Sequence, residues 1–374
     1  MGAAMGHEIS MPIFQAFPDL AGSAGHTLLA TLPTPLEIHR GSDLGLSVRH
    51  MMIKRDDKSG RAYGGNKVRK LEFLLGEALR VGAHGVVTFG VAGSNHALAT
   101  SIYARACGLE SHSMLTRQSN AAYVRRNLLA GFHAGAHLHP CASEEQAVEH
   151  ADILIREARQ RGRTVVTIPG GGSSPLGCLG FVNAGLELAE QLRRESLPVP
   201  DLIYLPLGTV GTAAGLLLGI RLAGLSSRMV AVRVVRSDIA RPERFRRLTE
   251  ATGQLLDSPA SLEGELPEIR HEFLGPGYGR FTPEGVAAME TARRSLGLKL
   301  EGTYTGKAFA ALLRDCRDGR LAGANVLFWN TYNSRPFPET VLAQDYRTLP
   351  EPFHYYFEQP LQPLDPEFEG RSSE

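Results

Sequence analysis

The sequence holds little sulfur, no paired CxxC and no run of one charge, and each absence removes a class of protein. The four cysteines, Cys107, Cys141, Cys178 and Cys316, lie far apart, so neither a disulfide framework nor a zinc site is expected. The thirteen histidines show no HExxH or other metal-ligand spacing, and no metal is expected. Lysines and arginines are scattered and the net charge is +1, which argues against a nucleic acid or an anionic membrane as partner. The longest apolar stretch, Ala213 to Leu225, is interrupted by Arg221 and is too short to span a bilayer. The opening residues carry no basic flank followed by an apolar run, and Gly2 lacks the Ser or Thr that myristoylation needs. With reduced thiols, this leads to the expectation of a cytoplasmic protein.

What remains is the composition of an ordinary soluble enzyme: 374 residues, 43% apolar and 21% charged, enough for two domains or one large α/β unit. Residues 1–46 carry several prolines and little periodicity, and read as an irregular arm. Leu46–Arg55 reads as the first strand. From there strands and helices alternate, with a short buried strand at Gly85–Gly90 and further strands at Thr164–Pro169, Leu202–Leu207 and Asn325–Trp329, each but the last running into a helix. Such βα alternation predicts α/β architecture, with mostly parallel sheet and helices on both faces. From about Asp345 the chain is rich in proline and acidic residues, and an arm or a disordered tail is expected.

Binding sites in parallel sheets gather at the carboxyl ends of strands. Four loops rich in Gly, Ser, Thr and Asn follow strands here, at 64–67, 92–96, 170–174 and 208–212. Their convergence on one small ligand is the economical reading. In the first, Gly64 and Gly65 make a turn that side-chain bulk would obstruct. Asn66 is expected to cap the helix that follows, which opens with Lys67, Arg69 and Lys70. Cations crowded at a helix N-terminus depress a lysine's pKa and make the site await an anion. A readily deprotonated lysine beside an anion pocket suits condensation with a phosphorylated aldehyde. A solvated basic helix start is the alternative reading of this octapeptide.

Seven stretches together resemble the D-cysteine desulfhydrase and aminocyclopropane-carboxylate deaminase family, pyridoxal-phosphate enzymes of fold type II (tryptophan synthase β-like). They are Lys54-Arg-Asp-Asp57, Gly64-Gly-Asn-Lys-Val-Arg-Lys-Leu-Glu-Phe73, Ser94-Asn-His96, Pro169-Gly-Gly-Gly-Ser-Ser-Pro-Leu-Gly177, Gly208-Thr-Val-Gly-Thr212, Gly275-Pro-Gly-Tyr-Gly279 and Tyr304-Thr-Gly-Lys307. The resemblance implies two open, twisted, mostly parallel sheets. A large cofactor-binding domain is expected from 1–70 and 179–344, a small domain from 71–178, and a C-terminal arm or disordered tail from 345–374. It further implies that Lys67 holds the cofactor aldehyde and moves the Cα proton, and that Asn95 contacts the cofactor's 3′-oxygen. Ser94, Asn95 and His96 would receive the substrate carboxylate, with Ser94 also able to relay a proton. The phosphate would sit in Gly208, Thr209, Val210, Gly211 and Thr212, a turn that opens a helix, and Lys70 would reach the same phosphate. Tyr304 would pack on the cofactor ring with Tyr278 near the substrate, the alternative for both being ordinary core aromatics. A homodimer and a small amino-acid substrate are also implied.

Deaminases of this family that open a cyclopropane ring place a Glu after that Tyr, where it keeps the pyridine nitrogen protonated. Here the position is Thr305, and a second discriminating position, Leu in those deaminases, is Thr331. Both resemble the desulfhydrase side, which implies α,β-elimination from a D-cysteine-like amino acid to a 2-oxo acid and ammonia. Two stretches depart from the family. After the last strand it usually has His-Thr-Gly-Gly, where this chain has Asn330-Thr-Tyr-Asn333, so Tyr332 and Asn333 are expected to alter the pocket wall. After Ser-Asn-His it often has Arg-Gln-Thr, where Leu98, Ala99 and Thr100 stand here. Deamination of aminocyclopropane carboxylate and a non-catalytic cofactor-binding homologue are the alternatives within the resemblance. Outside it, a Rossmann dehydrogenase is disfavoured because Gly208-x-x-Gly211 is an incomplete fingerprint and Arg233 and Arg236 stand where an acid is wanted. A serine hydrolase is disfavoured because neither Ser94 nor Ser173 sits in a G-x-S-x-G elbow.

Overall fold

A computed structural model describes residues 11–258 and 266–367. The expectations for Gly2 and for the end of the tail, 368–374, lie outside the described residues. Among the described residues ten strands form two sheets: β1 (Leu36–Arg40), β2 (His50–Lys54), β3 (Gly85–Val91), β4 (Glu110–Thr116), β5 (His137–Cys141), β6 (Val165–Ile168), β7 (Leu202–Leu207), β8 (Arg228–Arg233), β9 (Glu268–Arg270) and β10 (Asn325–Trp329). The larger sheet has the order β1-β2-β10-β7-β8-β9, and the smaller β5-β4-β3-β6. Only the β1–β2 pairing is antiparallel. Strand β7, in the interior of its sheet, is buried at every position, which is why Leu202–Leu207 reads as an unbroken apolar run.

Two strands differ from the sequence reading. Strand β1 lies inside the stretch read as an irregular arm, and β2 is therefore the second strand. At the outer edge, β1 is only half-buried, so its pattern carries no apolar run. Strand β9 is three residues on the other edge, too short for periodicity to register. The expected tail, as far as Glu367, packs on the smaller sheet's helix Ala122–His133. Asn120 donates to the carbonyls of Tyr356, Gln359 and Pro360, and Asp365 accepts from the N–H of Ala122 at 2.9 Å. Phe353 and Tyr356 are buried there, and pay for the ordering of this segment.

The helices Asn66–Arg80, Pro175–Arg194 and Gly211–Leu222 meet backbone to backbone. A Cβ at Gly180 would strike the backbone of Arg69 and Lys70, and one at Gly185 that of Gly219. This close approach sets the position of the helix that carries Lys67. The same helix is held by charge. Arg69 is fully buried and bonds both oxygens of Asp56 and both of Glu187, and Lys54 bonds Glu187 at 2.5 Å. Trp329 Nε1 on β10 donates to Asp56 at 2.8 Å, and Thr34 Oγ1 to its other oxygen at 2.9 Å. Two cations thus meet two carboxylates, and removing one partner would strand a buried charge at a cost of about 3–5 kcal/mol.

Glu72, on the same helix, fastens the N-terminal segment by accepting the N–H groups of Leu29 and Ala30. Burial raises its pKa to about 7, against the lowering effect of those two N–H groups. Between the ordinary carboxylate value and about 7 the folded state binds a proton that the unfolded chain has lost, so stability falls as pH rises through that window. Glu72→Gln is expected to flatten this slope and to be more stable than the wild type above pH 7, by up to about 3 kcal/mol. Urea unfolding of the apoprotein from pH 4.5 to 8 measures it, and an unchanged slope would remove Glu72 as its source.

Candidate active site

At the carboxyl ends of both sheets the four polar loops enclose a cavity of about 540 Å³. It is lined by Asn66 and Lys67, by Ser94, Asn95 and His96, by Gly170 and Gly171, and by Gly208, Thr209, Val210 and Thr212. Tyr278, Tyr304, Thr305, Thr331 and Tyr332 close it from the larger sheet's side.

The Gly64–Gly65 turn aims Lys67. Gly65 has φ +94°, and a Cβ there would come within 2.7 Å of the Thr331 carbonyl. The following N–H, of Asn66, donates to that same carbonyl at 3.1 Å, which sews this turn to the end of β10. Asn66 is not the cap: Gly65 holds the cap position, and the Asn66 amide donates across to Thr212 at 2.9 Å. Arg69 likewise does not face the site, because Asp56 and Glu187 hold it on the opposite side of the helix. The Lys67 amine has no hydrogen-bond partner among the described residues. Burial first, and the charge of Lys70 second, push its pKa well below the ordinary lysine value, so it favours the neutral, nucleophilic form.

Two helix N-termini present N–H groups to the cavity. In helix Asn95–Ala106 the Ser94 hydroxyl caps by accepting from Ala97 at 3.2 Å. The N–H groups of Asn95 and His96 have no acceptor among the described residues. The Asn95 carbonyl oxygen accepts from Tyr63 and Asn127, which fixes the amide and leaves its NH2 to donate. The His96 ring turns to strand β3, where Nε2 lies 3.1 Å from Thr88 Oγ1. That hydroxyl spends its proton on the Ile168 carbonyl, so Nε2 is the donor and Nδ1 holds a lone pair without a partner. Burial, then Lys67 and Lys70, keep the imidazole neutral. An anion at this helix end would meet the His96 backbone rather than its ring.

At the second terminus Val210 adopts φ +75°, a conformation that costs a β-branched residue about 1–3 kcal/mol. The turn leaves the N–H groups of Val210, Thr212 and Ala213 without acceptors among the described residues, at the start of helix Gly211–Leu222. Such a helix start binds anions. Gly211 itself points away from the cavity, its N–H shared by Thr209 O and Ser173 Oγ. Lys70 lies behind the turn and does not line the cavity. Its amine bonds the Gly171 carbonyl at 3.1 Å and reaches Ser173 at 3.5 Å, and burial lowers its pKa to about 8. It adds positive potential to the turn from the rear without reaching into the site.

Tyr304 stands over Gly208, where a Cβ would be 3.2 Å from the ring, and shares a 2.7 Å hydroxyl hydrogen bond with Tyr278. Lys307 donates to the Leu274 carbonyl at 2.7 Å and holds the loop that carries Tyr278. Thr305 is fully buried. Its oxygen accepts from the Glu301 N–H at 2.9 Å, and its own proton has no acceptor among the described residues. Of the two departures after β10, Tyr332 lines the cavity and Asn333 does not. Asn333 accepts from Gly64 at 2.7 Å and so braces the Gly64–Gly65 turn instead of narrowing the site.

Glu301 was not singled out from sequence. It is buried in the cavity wall, and its carboxylate accepts from the N–H groups of Thr303, Tyr304 and Thr305. Burial raises its pKa against those bonds. No local signal marks it: a capping box runs from Ser or Thr to Glu three residues on, the reverse of Glu301 and Thr305. Among the described residues no group of three or more His, Cys, Asp or Glu is placed to hold a metal ion.

A family profile described as pyridoxal-phosphate dependent enzyme matches residues 27–331. The chain belongs to that family. It is 36% identical over 296 residues to nocardicin C-9′ epimerase from Nocardia uniformis subsp. tsuyamanensis, covering 78% of this chain and 88% of that one. It is 36% identical over 303 residues to D-cysteine desulfhydrase from Serratia proteamaculans, covering 79% and 86%. A solved structure of an ACC deaminase homologue superposes with a TM-score of 0.74 at 28% identity, over 89% of this chain and 98% of that chain. The fold is that of the fold type II enzymes, and pyridoxal phosphate is the cofactor.

The residues present fit that group. A partnerless, neutral-leaning lysine, a helix start with three free N–H groups and a glycine leaving room beside an aromatic ring all open on one cavity. Borohydride reduction of the holoenzyme and peptide mapping are expected to find the cofactor on Lys67, with Lys67→Ala folded but inactive; label on Lys70 would overturn the assignment. Thr212→Ala is expected to weaken cofactor retention by about 1–3 kcal/mol, measured by equilibrium dialysis. Unchanged affinity would put the phosphate elsewhere.

Proposed function

We propose that the protein is a lyase that removes a sulfur or similar β-substituent from a small, D-cysteine-like amino acid, yielding a 2-oxo acid and ammonia. The observation that carries this reading is Thr305. A buried hydroxyl with a proton to give suits a ring nitrogen that keeps its lone pair, and a neutral ring serves best when a good leaving group departs as soon as Cα is deprotonated. Bound pyridoxal phosphate supplies an aldehyde for the substrate amine and a ring that accepts electrons from Cα. In our reading Lys67 holds the aldehyde and then takes the Cα proton. The N–H groups of Val210 and Thr212, with the Thr209 and Thr212 hydroxyls, receive the phosphate, and Lys70 supports them through its charge. The Asn95 NH2 donates to the 3′-oxygen. The N–H groups of Asn95 and His96 receive the substrate carboxylate beside Ser94. Tyr304 packs on the ring, Tyr278 faces the substrate, and Thr331 and Thr305 close the ring's far edge. The resemblance also supports a homodimer in the cytoplasm, with the amino acid as the small-molecule partner; sedimentation velocity of the holoenzyme tests the dimer.

Steady-state assays with D-cysteine and with aminocyclopropane carboxylate are expected to release 2-oxo acid from the first and little from the second. The reverse result would overturn the argument from Thr305. A second reading, epimerisation at Cα, is favoured by the identity with nocardicin C-9′ epimerase. Ser94 and the Tyr278–Tyr304 hydroxyl pair offer proton donors besides Lys67. Reaction in deuterium oxide separates the two: epimerisation places deuterium on Cα of an intact amino acid, and elimination consumes it.

A further inference from the structure

The cavity lining includes more residues than are assigned to the cofactor and a cysteine-sized substrate. Beyond the residues assigned to cofactor and substrate, its wall continues along Phe89, Val91, Met114, Val148, Val235 and Ile239 to an outer rim. None of these belongs to the four polar loops. They come from strands β3 and β4, from helix Glu144–Gln160 and from the segment after β8. A substrate whose side chain is one carbon and one sulfur would leave that apolar wall in water.

The rim is cationic. Arg117, Arg236 and Arg244 all line it. Arg236 is already paired, through two hydrogen bonds to Asp238, and lies in the field of Glu144. Arg117 and Arg244 have no carboxylate within ion-pair distance among the described residues. The Arg117 guanidinium is set 4.0 Å above the Tyr355 ring, which orders it without neutralising it. Arg244 occupies the first turn of helix Pro242–Gln254, where the helix dipole repels a cation and rewards an anion beside it. The acidic groups at this end are Glu144, Asp238 and the neighbouring Glu243; Asp238 is spent on Arg236, and Glu144 faces it.

We propose that, among D-cysteine-like substrates, the enzyme favours those whose β-sulfur carries a long apolar arm ending in an anionic group, received by Arg117 and Arg244. This rests on the elimination reading for its chemistry and extends it to the leaving group. With a thioether the balance is R–S–CH2–CH(NH2)–COOH plus water to R–SH, pyruvate and ammonia. The Cα–H and Cβ–S bonds break, the sulfur takes a proton, and no oxidant or reductant is needed.

Two measurements on the holoenzyme test it. Phenylalanine and 4-carboxyphenylalanine, D and L forms of each, carry no leaving group, so titration of the cofactor's absorbance reports their fit alone. The carboxylated compound is expected to bind at least tenfold tighter, with the advantage lost in Arg244→Gln and Arg117→Gln and kept in Arg246→Gln, an exposed site outside the cavity. Equal binding of the two compounds would overturn the subsite, as would an advantage that survives both variants. The second measurement compares kcat/KM for S-benzyl and S-(4-carboxybenzyl) cysteine by pyruvate release, where the same tenfold preference is expected. Tighter, arginine-dependent binding without pyruvate from either compound would sustain the subsite and remove the elimination reading instead.

Discussion

The site depends on four charges buried beneath it. Lys54, Asp56, Arg69 and Glu187 neutralise one another where strand β2, the helix that bears Lys67 and the helix Pro175–Arg194 meet, with Trp329 of β10 joined to Asp56. Desolvated pairs of this kind add little net stability but punish any displacement, since a shifted partner leaves a charge in low dielectric. Their value here is register. Gly65 donates to the Asp56 carbonyl at 2.7 Å, so the network and the turn that aims Lys67 share a residue.

With Arg69 consumed by that network, the positive charge left near the cavity floor belongs to Lys67 and Lys70, and both are pressed toward neutrality by burial. Free N–H groups at two helix starts and a strained Val210 complete an environment short of negative charge. Of the two carboxylates that line the cavity, Glu144 lies at the outer rim and Glu301 in the inner wall, where three backbone N–H groups occupy it. An anionic ligand therefore restores what folding withheld, and its binding energy offsets the strain and the desolvated lysines. The same imbalance recurs at the outer rim, where Arg117 and Arg244 lack carboxylate partners among the described residues.

Much of the site was legible because its chemistry demands residue types that side-chain bulk or charge would forbid. Gly64 and Gly65 and the Gly208–Thr212 turn are each set by local backbone geometry, which a sequence displays directly, whereas the Ser94 cap emerged only in the structure. The role of Arg69 was not legible. Its neighbours Lys67 and Lys70 suggested a common anion face, but its partner Glu187 lies 118 residues away and only the fold brings them together. Asn333 misled for the same reason. As a substituent for glycine it suggested an altered pocket wall, while its actual contact is the distant Gly64 N–H.

By itself the sequence determined the alternation of strands and helices, the parallel sheets and the four polar loops that line the cavity, since periodicity and glycine act within a few residues. It also singled out Lys67, which the fold places in the cavity wall. Tertiary structure alone decided which cations face the ligand, which tautomer His96 adopts, where Glu301 sits and how far the cavity extends. Those properties depend on burial and on partners remote in the chain. Edge strands β1 and β9 belong with them, because a short or half-exposed strand owes its existence to the neighbour it pairs with rather than to an apolar pattern of its own.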